Sequence, residues 1–135
     1  MLAKKKRLLD SFAMLAFLNK ESGFERVRSL LREADRSREF LLMNEINVGE
    51  VYYITAKNRT LALAEDFVNR LETLPIRVVA NPFLHVLEAA RLKARFPISY
   101  ADAFAVATAM RVDAFIVTGD PEFHHVENLV NIDWL

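Results

Sequence analysis

Short, mainly apolar runs recur along the chain, at 7–9, 40–43, 76–80 and 114–117, with Arg7 and Arg77 as their only charges, and longer stretches of helical spacing separate them. An uninterrupted run, unlike an alternating one, marks a strand buried on both faces. Strands of that kind alternating with helices predict an α/β fold, a three-layer α/β/α arrangement around a mostly parallel central sheet. The intervening segments fit this. Residues 11–19 are apolar and helix-prone, and Phe24, Val27, Leu30, Leu31 and Ala34 fall on one helical face. Residues 46–57 read as helix. A further helix starts at Thr60, with Leu61, Ala64, Phe67, Val68 and Leu71 on one face and Pro75 as its end. Asn81-Pro82 reads as a cap followed by a first-turn proline, opening a helix to Arg95 that Pro97 breaks. Residues 100–111 are helical, Thr118-Gly119-Asp120-Pro121 is a turn into a short helical piece, and 130–134 supplies a last edge strand.

At 135 residues, with no repeat or low-complexity segment, the chain reads as a single domain, 1–135. Its 18 basic and 18 acidic residues balance, which excludes a uniformly basic nucleic-acid binder but not local basic strips. Without cysteine there are no disulfides, Cys-based zinc sites or thiol catalysis. No G-x-G or G-x-x-x-x-G-K phosphate loop can be written. Lys4-Lys5-Lys6-Arg7 before an apolar stretch imitates a signal peptide, but Asp10 interrupts it and no small-x-small cleavage site follows. The stretch is also too short to span a bilayer, so the expectation is a cytoplasmic protein without a membrane partner.

Charges in apolar surroundings carry the functional information, because an unpaired buried carboxylate must be hydrogen-bonded, protonated or metal-bound. Asp10 is the only charge between Arg7 and Lys20 and falls at the end of the first strand; it also reads as a helix N-cap. Glu50 has Ile46, Asn47, Tyr53 and Ile54 as its helical neighbours, with pairing to Lys57 as the plainer alternative. Asp102 is the only charge from Pro97 to Met110, and Ser99 three residues earlier imitates a capping box. Asp120 follows a strand and precedes Pro121, which also suits a cap. Open α/β sheets bind ligands beyond the carboxyl ends of their strands. Carboxylates gathered there without a lysine suit a hard cation such as Mg²⁺ or Mn²⁺ rather than zinc, and point to phosphodiester hydrolysis. Crowded carboxylates repel, so at least one is expected to have a raised pKa.

Read in order, Leu8-Leu9-Asp10-Ser11, Asn47-Val48-Gly49-Glu50-Val51, Ser99-Tyr100-Ala101-Asp102-Ala103-Phe104-Ala105-Val106-Ala107-Thr108-Ala109 and Val117-Thr118-Gly119-Asp120-Pro121-Glu122-Phe123 resemble the PIN-domain family, and most nearly the ribonuclease toxins of VapBC toxin–antitoxin pairs. The resemblance covers essentially the whole chain. It implies a Mg²⁺-dependent endoribonuclease, with Mn²⁺ as a substitute, that cleaves single-stranded RNA to a 5′-phosphate and a 3′-hydroxyl. The acidic quartet would be Asp10, Glu50, Asp102 and Asp120. Asp10 and Asp102 would be direct ligands of the principal ion; Glu50 and Asp120 would complete the shell, directly or through water, or hold a second ion. Thr118 matches the hydroxyl residue before the last acid and would orient a water or a carboxylate by hydrogen bonding. Ser11 and Asn47 match recurrent polar positions. A cognate antitoxin should occupy the acidic cleft with a basic side chain. A homodimer is expected from the family and from apolar faces in excess of one core, at 12–17 and 46–54.

Two other function classes fit an acidic α/β pocket less well. A phosphoacceptor signalling domain needs a late lysine, and none follows Lys93. A non-catalytic RNA- or protein-binding module of the same fold would have no need of four intact acids. His124-His125 read as exposed, His85 as a surface or edge residue, and Tyr52-Tyr53 and Phe104 as core. The strip Arg26, Arg28, Arg32, Arg36 and Arg38 reads as a solvated helix face, with RNA or an acidic partner as the alternative.

Overall fold

In the computed structural model, which describes residues 5–135, the apolar runs form one sheet and the segments between them cover both its faces. The strands are β1 (Lys6–Leu9), β2 (Leu41–Asn44), β3 (Ile76–Val79), β4 (Ala114–Thr118) and β5 (Ile132–Trp134). They lie in the order β3-β2-β1-β4-β5, and every neighbouring pair is parallel. The helices are α1 (Ser11–Leu18), α2 (Phe24–Ser37), α3 (Glu45–Asn58), α4 (Leu61–Leu71), α5 (Phe83–Arg95) and α6 (Tyr100–Val112), and Pro121–Val126 forms a 3₁₀ turn.

Period-two alternation explains why the central strands are apolar at consecutive positions, whereas the outer strand β3 carries exposed Arg77. Leu8 and Ile116 join Ala89, Phe104, Val106 and Phe123 in the core beneath α5 and α6. Their neighbours Leu9 and Val117 join Met14, Leu31, Met43 and Phe67 in the core beneath α1, α2 and α4. Both residues of each pair are fully buried. Strand order reverses between β1 and β4, because β2 and β3 extend one way and β5 the other. That switch point is where an open parallel sheet leaves a crevice at its carboxyl edge.

Several details depart from the sequence expectations. β2 starts at Leu41, leaving Phe40 exposed. α4 stops at Leu71, short of Pro75, whose carbonyl instead accepts the Leu41 amide at 2.9 Å. Asn81 does not cap α5; Pro82 holds that position, and Asn81 exchanges side-chain hydrogen bonds with buried Asn44 at 2.8 and 2.9 Å. Tyr53 is 57% exposed rather than core, Tyr52 is half-buried, and Phe104 is core as expected. His85 is half-buried, and its Nδ1 is enclosed without a hydrogen-bond partner. Lys4 of the basic N-terminal run lies outside the described residues. Among the described residues, no helix is long and apolar enough to cross a membrane.

Candidate active site

Asp10 leaves β1 at the switch point, where its amide meets the Val117 carbonyl of β4 at 3.4 Å. Capping and site placement coincide in this residue. Asp10 Oδ1 accepts the Ala13 amide at 2.8 Å as the N-cap of α1, and Oδ2 accepts the Thr118 hydroxyl at 2.5 Å. The side chain is buried, which pushes its carboxyl up to about 8; the charges of Asp102 and Asp120 add to this, and the two hydrogen bonds oppose it.

Thr118 ends β4, and its hydroxyl also accepts the Asp120 amide at 3.0 Å. Asp120 caps the 3₁₀ turn, accepting the Glu122 amide at 2.9 Å with Pro121 in the first position. Between them, Gly119 passes so close to Phe12 that a Cβ there would stand 2.4 Å from Phe12 Cε1.

Asp102 lies in the first turn of α6. Its amide donates to Ser99 Oγ at 3.1 Å, yet the reciprocal half of a capping box is missing, and Oδ2 is buried with no hydrogen-bond partner. Burial pushes this carboxyl up to about 7, with Asp120 the next cause, then Glu122, and Glu50 further down. The expected crowding is therefore present, but desolvation outweighs repulsion at both raised acids.

The carboxylate oxygens of Asp102, Asp120 and Glu122 all lie within 4.8 Å of one another. Asp10 and Glu50 stand outside this tightest set and within its field, through Asp102. Glu50 is half-buried on α3 and forms no ion pair with Lys57. Asn47, one turn earlier and fully buried, ties α3 to α6, which carries Asp102, and to α1, which Asp10 caps. Its Nδ2 donates to Ser11 Oγ at 3.3 Å and to the Ala101 carbonyl at 3.2 Å.

Glu122 was not singled out by sequence reasoning. Its charge sits in Gly-Asp-Pro-Glu, a polar turn where a glutamate is ordinary, and its approach to Asp102 depends on the tertiary packing of the 3₁₀ turn against the start of α6. The histidines contribute nothing to the set. His124 is exposed, bonded to Glu127 at 2.5 Å and stacked on Trp134 at 4.4 Å, and His125 is exposed. An all-oxygen donor set containing an unpartnered buried carboxylate oxygen fits a hard divalent cation.

Much of the basic strip on α2 is engaged within the chain. Arg26 shares Asp133 with Arg7, both at 3.0 Å, Arg28 pairs with Glu25 at 3.3 Å, and Arg36 pairs with Glu33.

A family model described as the PIN domain matches residues 7–129. No curated protein matches the chain significantly in sequence. Among solved structures, DNA-bound VapBC from Salmonella typhimurium aligns with a TM-score of 0.75 at 14% identity, covering 97% of this chain and 98% of that one. VapC20 of Mycobacterium tuberculosis, described as a sarcin–ricin loop cleaving toxin, aligns at 0.74 and 15% identity over 94% and 98%. FitAcB from Neisseria gonorrhoeae aligns at 0.69 and 19% over 94% and 96%. At these identities the likeness is one of fold.

Proposed function

The chain belongs to the PIN domain family, and from that premise we propose that it is a Mg²⁺-dependent endoribonuclease of single-stranded RNA, the toxin of a toxin–antitoxin pair. The observation that carries this reading is Asp102: buried, with one oxygen unpartnered, and turned among Asp120 and Glu122 at the switch point. Asp102, Asp120 and Glu122 would hold the cation. Asp10 and Glu50 would complete its surroundings, with Asp10 fixed in place by the Thr118 hydroxyl. Mn²⁺ would substitute for Mg²⁺.

The electrostatics support a metal on their own. An RNA phosphodiester is anionic, and a crevice lined by five acids repels it as they ionise unless a cation intervenes. A bound Mg²⁺ would neutralise charge on the phosphoryl oxygens and make water a better nucleophile. The protein's share is to orient. Ala13 and Thr118 hold both oxygens of Asp10, while Asn47 fixes the approach of α3 and α6 to α1.

An antitoxin placing a basic side chain among these acids would block the site, and the VapBC neighbours support such a partner. A homodimer is proposed through Phe12, Ile46 and Tyr53, which are exposed on the two helices whose apolar residues exceed the needs of one core.

The test is cleavage of a labelled single-stranded RNA by purified protein with Mg²⁺, with chelator, and after Asp102→Asn. Cleavage should require the ion, and Asp102→Asn should lower the rate by about a hundredfold or more while the fold persists. Parental activity in Asp102→Asn would sink the assignment.

A further inference from the structure

The acids just described cannot by themselves attract an RNA strand, and the formal net charge of the chain is zero. Affinity for a polyanion must then come from local accumulations of positive charge. One lies between α5 and α6. A cleft of about 390 Å³ there has Leu92, Ala107 and Met110 as its apolar lining. Its charged lining is Arg91, Arg95 and Arg111 against a single carboxylate, Glu88.

Arg111 Nη1 binds Glu88 Oε2 at 3.1 Å, which uses up that carboxylate. Among the described residues, Arg91 and Arg95 have no carboxylate within ion-pair distance. They are four residues apart on α5, so both face the same way, about 6 Å apart along the helix axis. Guanidinium groups present planar forks that match phosphate oxygens. Met110, 48% exposed, adds a polarizable apolar surface beside them. Charge and apolar surface side by side suit a strand that alternates phosphates with bases. α6 joins the cleft to the acids, since Asp102 stands in its first turn and Arg111 about 14 Å further along it.

We infer that the α5–α6 cleft is an accessory RNA-binding site in which Arg91 and Arg95 hold backbone phosphates of the substrate strand. This rests on the reading of the acids as a ribonuclease site, and the experiment separates the two. Asp102→Asn protein, which should bind RNA without cutting it, is titrated with a labelled single-stranded oligoribonucleotide over a salt series by fluorescence anisotropy. Adding Arg91→Gln and Arg95→Gln should weaken binding about tenfold and reduce the salt slope by about 1.4, the value for two lost phosphate contacts on a single strand.

With the acids intact, the same pair of changes should raise KM for a long RNA and leave kcat unchanged. Cleavage of a trinucleotide too short to reach the cleft should be unaffected. Equal affinity and equal salt slope, in a protein whose parent cleaves RNA, would overturn the cleft and leave the nuclease reading standing. A parent that cleaves no RNA with Mg²⁺ would remove both. Loss of antitoxin binding with RNA affinity unchanged would make the cleft a protein dock and overturn the inference. Melting curves should match throughout, because both arginines are exposed.

Discussion

At the scale of single residues, Thr118 shows how much one hydroxyl can organise. It donates to Asp10 and accepts from the Asp120 amide, so it sets the distance between the acid of β1 and the acid that follows β4. Thr118→Val keeps the shape but leaves a buried carboxylate oxygen and an amide without these partners. The expected cost is about 1–3 kcal/mol per unsatisfied group, read from denaturant unfolding. Cation affinity and cleavage should fall by about 10–100-fold, read by calorimetric Mn²⁺ titration and RNA cleavage. Thr118→Ser should retain most of both, and a Ser variant as impaired as the Val variant would argue against the hydroxyl. The acids Asp10, Glu50, Asp102 and Asp120 were legible because each interrupts an apolar segment or ends a strand. Glu122 was not, since a charge in a turn is ordinary and its approach to Asp102 depends on a tertiary path.

At the scale of elements, alternation of strand and helix was legible throughout, and the departures have tertiary causes. Asn81-Pro82 carries the local signature of a helix cap, yet pairing with Asn44 at the end of β2 takes the Asn81 side chain instead. Tyr53 lies on a helix whose apolar residues run nearly all round, so spacing could not say which side would face outward. One junction links distant elements to the site. Gly23 opens α2 with φ +98°, and a Cβ there would come within 3.2 Å of Leu135. The Leu135 amide in turn donates to the Thr118 carbonyl at 2.9 Å. Gly23→Ala should therefore destabilise the protein by about 1–2 kcal/mol from backbone strain, seen as a lower urea midpoint. An unchanged midpoint would mean that the turn between α1 and α2 relaxes without consequence.

At the scale of the whole molecule, the acid crevice should make stability depend on pH and on cations. Asp10 at about 8 and Asp102 at about 7 both lie above the ordinary 3.8. Between about pH 4 and 8 the metal-free folded protein holds protons that the unfolded chain has released, so its stability falls as pH rises through that range. Mg²⁺ should replace those protons and raise the melting temperature more at pH 8 than at pH 5. At a hundredfold excess over Kd the gain is about 2.7 kcal/mol, several degrees for a domain of this size. Equal midpoints with and without Mg²⁺ at pH 8, in protein that cleaves RNA, would show that the ion binds only together with substrate. Sedimentation at micromolar concentration should show a dimer, and Tyr53→Glu should shift it toward monomer; a monomer from the outset would dispose of the proposed interface.

The switch point has a further consequence for synthesis. Asp10 and Thr118 are 108 residues apart in the chain. At a translation rate of roughly 5–20 residues per second, Asp10 emerges on the order of ten seconds before the strand that must hold it. No contiguous fragment short of β4 contains the crevice. If the chain is the nuclease proposed above, a nascent chain or an N-terminal proteolytic piece would be inert, and the messenger and ribosome producing it would be spared until the last strands are made.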